Sequence, residues 1–216
     1  MEYKLYIGIC GLIGAGKTTL AEALGNVMKL PVHYEEVVEN AYLEDFYSDM
    51  AKYAFPLQVH LLNKRFKQQQ QIIWSDQGAI QDRTIYEDGI FAKMLMESNI
   101  MNARDYKTYT ELFHNISNFM RRPNVIVYLS VSPEESLQRI QQRSRDMETK
   151  ITIDYLRSLH NAYESFIVEI SKIIPVIKVD WNTFHEAKEV ATKILEEYAK
   201  IREIHSVKWW TGEPHY

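Results

Sequence analysis

The sequence carries a single cysteine, Cys10, in an apolar run beside a glycine. One thiol excludes an intramolecular disulfide and a cysteine-based metal cluster, and it predicts a reducing, intracellular setting. No window reaches the roughly 18 consecutive apolar residues that a membrane span needs. Met1-Glu2-Tyr3-Lys4 lacks the basic lead and apolar core of a secretory leader. The expectation is a soluble, cytoplasmic protein with no membrane partner. Positive excess is missing as well: 25 Lys+Arg against 29 Asp+Glu leave a formal charge of −4. That balance argues against a surface built to track nucleic-acid phosphates. No internal repeat, linker or low-complexity tract is present, and Gln68 to Gln71 reads as a solvated helix face. What remains is 216 residues, 46% hydrophobic and rich in rings, with 14 Tyr and 4 Trp. Such a chain suits one domain, here 1–206, followed by a tail over 207–216 that holds Trp209 and Trp210.

The hydrophobic pattern alternates strand and helix. Leu5 to Cys10 predicts a strand, Thr18 to Lys29 a helix, and Pro31 to Glu35 a second strand. Asn40 is placed to cap a helix bearing Tyr42, Leu43, Phe46, Tyr47 and Met50, and Pro56 to sit in the first turn of a long helix reaching about Trp74. Further strands are predicted over Gly78 to Gln81, Val125 to Leu129 and Val176 to Val179. Helices carry Ile90 to Leu95 and span about 104–120, 153–173 and 184–204, and Pro133 opens another, capped by Ser132, that carries Arg139 and Arg143 on one face with Arg145 in the turn beyond. The order implies an α/β fold: a parallel five-stranded sheet flanked by helices on both faces.

The strongest chemical signal is Gly11-Leu12-Ile13-Gly14-Ala15-Gly16-Lys17-Thr18, which satisfies G-x-x-x-x-G-K-[ST] between a strand and a helix. Glycines let backbone N–H groups turn inward around an anion, and the helix N-terminus adds positive potential. Lys17 then reaches the β/γ-phosphates of a nucleoside triphosphate, and the Thr18 hydroxyl, followed by Thr19, helps to hold Mg²⁺. No guanine-reading N-K-x-D is present, because Asn63-Lys64-Arg65-Phe66 lacks the Asp and lies within a helix pattern. An acid at a strand end and an arginine-dense late segment are instead the parts of a small-molecule kinase. Glu35 and Glu36 end the second strand, where open α/β sheets bind ligands. Asp82 and Arg83 end another, offering an acid for Mg²⁺ and a guanidinium for phosphate. Arg139, Arg143 and Arg145 form an arginine-rich lid with no acid between them.

Taken together these residues resemble the deoxynucleoside kinase family, which includes deoxycytidine, deoxyguanosine and deoxyadenosine kinases, and most of all its bacterial type. The likeness runs through the phosphate loop, Glu35-Glu36-Val37, Asn40 to Tyr47, Phe55-Pro56-Leu57-Gln58, Lys64-Arg65-Phe66, Asp82 to Asp88, Phe91-Ala92-Lys93 and Arg139 to Glu148. It implies transfer of the γ-phosphate of Mg-ATP to the 5′-hydroxyl of a purine deoxynucleoside or of deoxycytidine. Glu35 then takes the place of the general base, and Tyr47 with Glu148 that of the pair binding the 3′-hydroxyl. Gln58 reads the base edge, Phe91 stacks on the base, and Arg65 with Asp88 forms the polar pair of purine- and cytosine-accepting relatives. Arg83 and the lid arginines clamp phosphates, and Asp180, Asn182 and Phe184 belong to the loop wrapping the donor adenine. The resemblance also implies a homodimer. Two departures are a segment 87–91 shorter by one residue and Thr84 in place of a common serine.

Two other readings share the phosphate loop. A nucleoside monophosphate kinase of thymidylate-kinase type needs a cation for its acceptor phosphate, whereas Glu35 repels a dianion and suits a neutral hydroxyl. A regulatory protein holding ATP without turnover is the reading from a different class.

Overall fold

The structure, a computed structural model, describes residues 4–35, 40–75, 77–143, 145, 148, 150–183 and 185–205. Glu36, Phe184 and the tail with Trp209 and Trp210 lie outside the described residues. Five strands, β1 (Tyr6–Gly11), β2 (Val32–His33), β3 (Ala79–Asp82), β4 (Val125–Ser130) and β5 (Val176–Asp180), form one parallel sheet in the order β2-β3-β1-β4-β5. Every residue of the central β1 is buried, so both of its faces are covered. The cover comes from α1 (Lys17–Met28), α2 (Leu43–Ser48), α3 (Met50–Trp74), α4 (Asp88–Glu97), α5 (Ala103–Ser117), α6 (Pro133–Arg143), α7 (Ile153–Ile170) and α8 (Ala187–His205). Helix α1 packs on α8, while α4 packs on α3, α5 and α7. No helix among the described residues is long and apolar enough to cross a membrane.

Register decides where the chemistry falls. Ile9 pairs with Asp82 and Gly11 with Leu129, so the carboxyl ends of the strands open on one edge of the sheet. Ligands of open α/β sheets bind at that edge. Ser132 caps α6 as expected, its hydroxyl accepting from the Glu135 amide at 3.2 Å.

Three local expectations are corrected. Pro56 does not lie in a first helical turn, because α3 starts at Met50, where the Asp49 side chain accepts the Lys52 amide at 3.2 Å. The proline leaves the Lys52 carbonyl without its helical donor, and Lys52 lies on an exposed turn where water can serve it. Asn40 acts two residues ahead of the cap, Tyr42: its side-chain oxygen accepts the Tyr42 amide at 3.0 Å, turning the chain into α2. Gln69 does not belong to a solvated face. It is fully buried and donates to the Tyr6 hydroxyl at 2.5 Å, while Tyr6 donates to Gln81. Polar groups on β1 and β3 supply the partners that allow an amide into the interior.

Candidate active site

The phosphate loop follows β1 directly. Gly16, at φ 88°, is the left-handed residue that turns the chain into α1, and a Cβ there would lie 2.9 Å from the Trp181 indole nitrogen. Lys17 curls back on its own loop and donates to the carbonyls of Gly11 (3.1 Å) and Leu12 (2.8 Å). Burial, and then the positive charge of Arg83, lowers its ammonium to about 8. Ile13, Gly14, Gly16, Lys17, Thr18 and Thr19 border the main cleft, whereas Gly11, Leu12 and Ala15 are buried behind them. The Thr18 hydroxyl donates to Asp82 Oδ2 at 2.5 Å, and Asp82 Oδ1 is buried with no hydrogen-bond partner among the described residues.

Three separate elements deliver the acceptor-side charges. Glu35 follows β2, Arg65 comes from the middle of α3, and Arg83, with φ 68°, leaves β3. Arg65 Nη2 and Arg83 Nε meet the same Glu35 oxygen, at 2.8 and 2.9 Å. Burial would raise the Glu35 pKa, but the guanidiniums of Arg83 and Arg65, with Lys17 behind them, outweigh it and hold the carboxyl at about 2. Arg65 Nη1 pairs with Asp88, which is fully buried and does not border the cleft. Asp88 thus reaches the cleft only through Arg65.

The cleft measures about 460 Å³ and gathers Glu35, Tyr47, Gln58, Arg65, Arg83, Phe91 and Glu148 with the phosphate loop. Gln58 is buried, and its Oε1 has no hydrogen-bond partner among the described residues. Burial, with Tyr155 and Glu148 close by, raises the Tyr47 phenol well above its ordinary value, so it stays protonated and able to donate. Phe91 borders the cleft while the Arg83 guanidinium packs over its ring, 5.2 Å from the centroid. On the lid, Arg143 makes a two-pronged pair with Glu148 at 2.6 and 2.8 Å, and Arg145 lies 3.6 Å from the same carboxylate. Arg139 bonds Glu135 and the carbonyls of Trp181 and Asn182. Asp180 and Asn182 do not border the cleft: Asp180 accepts the Asn182 amide at 3.0 Å, and Asn182 Oδ1 accepts the Ser132 amide at 2.8 Å. They shape the turn whose carbonyls hold Arg139.

Two residues were not singled out from the sequence. Tyr155 is buried and borders the cleft on the first turn of α7. Glu87 is fully buried against Arg83 and Tyr163, and its one sequence signal is the Thr84-x-x-Glu87 spacing of a capping box, which the structure forms.

A phosphate loop, an acid and an arginine at neighbouring strand ends, and an arginine-bearing helix over one cleft define a P-loop phosphotransferase. Comparison with known proteins narrows the class. The family model for deoxynucleoside kinase matches residues 7–203. A deoxyadenosine kinase of Dictyostelium discoideum is 56% identical over 91% of this chain and 80% of its own length. A deoxyadenosine/deoxycytidine kinase of Bacillus subtilis is 37% identical, covering 90% and 92%. A deoxyadenosine kinase structure from M. mycoides, with products dCMP and a flexible dCDP bound, superposes with a TM-score of 0.83 at 30% identity, covering 91% of this chain and 100% of that one. The chain belongs to the deoxynucleoside kinase family, a family of ATP-dependent phosphotransferases.

Proposed function

We propose that this kinase transfers the γ-phosphate of ATP to the 5′-hydroxyl of deoxyadenosine, and accepts deoxyguanosine or deoxycytidine less well. The single observation that carries the reading is Glu35. It is an ionised carboxylate between two guanidiniums, facing the phosphate loop across a cleft that also holds an unpartnered buried amide. The cleft suits a neutral sugar hydroxyl, because such a hydroxyl has a proton to donate to Glu35 and a dianionic phosphate does not. The relatives named for deoxyadenosine support adenine as the preferred base. Gln58 supports it chemically, since an amide pairs with adenine through one donor and one acceptor.

Glu35 orients the 5′-hydroxyl and takes its proton as the O5′–Pγ bond forms and the bond from Pγ to the β-phosphate oxygen breaks. A carboxyl held at about 2 is a poor base in the free enzyme. Phosphoryl transfer proceeds through a loose transition state that needs alignment more than early proton removal. Drawing Arg83 toward the phosphates also weakens the pair that depresses Glu35. Lys17, Arg83, Arg139, Arg143 and Arg145 receive the spreading phosphate charge, and Asp180 and Asn182 hold the turn beside the donor base. Tyr47 and Glu148 bind the 3′-hydroxyl, Phe91 packs on the base, and Arg65 with Asp88 fixes its polar edge. The Thr18 hydroxyl and the unpartnered Asp82 oxygen fit Mg²⁺, which is commonly held by one or two carboxylates plus substrate phosphates. Held by those two residues, Mg²⁺ would supply neutralising charge for the donor phosphates. The family likeness also supports a homodimer, and light scattering that finds only monomer would exclude it.

The test is ADP release from ATP and Mg²⁺ with each deoxynucleoside and each deoxynucleoside monophosphate offered in turn. Deoxyadenosine is expected to give the highest kcat/KM. Turnover of monophosphates alone, or no acceptor-dependent ADP, rejects the reading.

A further inference from the structure

Behind the cleft a second carboxylate, Glu87, occupies a position that the reaction described above leaves unused. It is fully buried on the short 3₁₀ turn Ile85–Glu87 that follows β3. Its Oε1 accepts the Thr84 amide at 2.9 Å, closing the capping box. Its Oε2 gathers three donors from three other places: the Gly11 amide at 3.4 Å, Arg83 Nη1 at 3.2 Å and the Tyr163 hydroxyl of α7 at 2.5 Å. The Tyr163 hydroxyl also accepts from Arg83 Nη1 at 2.8 Å. One oxygen therefore ties the first glycine of the phosphate loop to the guanidinium whose other edge holds Glu35.

A capping box does not require that charge. Glutamine serves at the same position, and taking a carboxylate out of water is costly unless its partners compensate. We infer that Glu87 is a positioning residue for phosphoryl transfer, its anionic oxygen fixing Arg83 relative to the phosphate loop. The geometry gives the reason. Arg83 leaves the strand in a left-handed conformation that is uncommon for a residue with a side chain, and its guanidinium faces Glu35 and the cleft. Glu87 and Tyr163 anchor the Nη1 corner, leaving the remaining N–H groups to the reacting centre. Because Gly11 shares the anchor, guanidinium and phosphate cradle move as one unit. Glutamine at 87 preserves shape and the Oε1 contact but places an N–H donor or a weak acceptor where three donors converge.

The inference rests on the reading that Arg83 works at the reacting centre, so the experiment measures both. Full-length parent, Glu87→Gln, Tyr163→Phe, Arg83→Lys and the double variant Arg83→Lys/Glu87→Gln are assayed for kcat and KM by ADP release with deoxyadenosine, and for Tm. Misplacement of a reacting group by about 1 Å costs about 10²-fold, so Glu87→Gln is expected to lower kcat by roughly 10- to 100-fold. Its nucleoside KM should stay within about threefold of the parent, while Tm falls because buried donors lose their anionic acceptor. Tyr163→Phe, which removes one tether and leaves the carboxylate, should lose about 3- to 10-fold by the same reasoning, and it decides the matter if Glu87→Gln does not fold. In the Arg83→Lys background the glutamine should cost less than about threefold, because the group it positions is gone. A kcat for Glu87→Gln within threefold of the parent, or an undiminished loss on top of Arg83→Lys, would overturn the inference. Full activity in Arg83→Lys would instead reject the role given to Arg83.

Discussion

Glu35 forms an ion pair with Arg83 Nε at 2.9 Å through the carboxylate oxygen that also accepts a hydrogen bond from Arg65 Nη2 at 2.8 Å. The proposed base and the proposed phosphate clamp are therefore one ion-paired unit before any substrate arrives. Replacing Glu35 by Gln keeps the shape and an acceptor oxygen but removes the charge proposed to orient and deprotonate the hydroxyl. The expected result is a kcat lower by roughly 10²–10⁴-fold, the range for a positioned acid–base group. Nucleoside binding should persist, as calorimetry would show. Near-normal turnover would remove Glu35 from the chemistry.

The same pair makes a prediction about stability and pH. The Glu35 carboxyl titrates at about 2 in the fold against an ordinary value of 4.5. A depressed carboxyl contributes stability that is fully present above its unfolded pKa and is lost as pH falls through the folded one. Glu35→Gln should therefore be less stable than the parent at pH 7, by about 1–3 kcal/mol. The gap should close as pH falls from about 4.5 toward 2, because a protonated Glu35 resembles glutamine. Urea midpoints measured from pH 7 to 3 check this, and a gap that stays constant would contradict the pairing.

These relationships differ in how far they could be read from the chain. The phosphate loop is legible because strand, glycines, lysine and hydroxyl are local and their chemistry fixes their spacing. Glu35 and Arg83 are legible as charges at strand ends, the edge where a parallel sheet binds ligands. Glu87 is not, because its meaning depends on Tyr163, 76 residues away, and on the β1 amide of Gly11. Gln69 is misread for the same reason. A glutamine run looks solvated until β1 and β3 bring Tyr6 and Gln81 against it. Pro56 misplaces the start of α3 because proline is most familiar in a first turn, while Asp49 caps the helix further upstream. Asp88 looks from the sequence like a substrate contact beside Arg65, and the fold places it one layer behind, against Arg65.

In the proposed reaction Glu148 connects the two substrates. Its carboxylate is engaged by Arg143 and Arg145, groups expected to turn to the donor phosphates. Phosphate that draws those arginines away frees the carboxylate for the sugar hydroxyl. Donor and acceptor should thus bind with positive coupling, and coupling between sites commonly amounts to about 5- to 150-fold. Deoxyadenosine affinity measured with and without a non-hydrolysable ATP analogue should rise at least about fivefold with the analogue present. In Glu148→Gln the neutral amide holds the arginines less tightly, and the ratio should fall toward one. Equal coupling in parent and variant would show that the lid pair plays no part in it.

Ser136 joins the lid helix to the phosphate loop. It is fully buried on α6, and its hydroxyl donates to the Ile13 carbonyl at 2.6 Å. Alanine at 136 removes the donor and leaves a carbonyl of the loop without its partner, a loss of about 1–3 kcal/mol for a buried group. The bond lies between the helix bearing Arg139 and Arg143 and the loop bearing Lys17. The damage should therefore fall on the donor side. Ser136→Ala is expected to raise the ATP KM several-fold and to lower Tm, while the deoxyadenosine KM at saturating ATP changes little. Thermal melts and steady-state kinetics with each substrate varied in turn separate the outcomes. A rise confined to the nucleoside KM would place the effect of Ser136 in the acceptor half of the cleft.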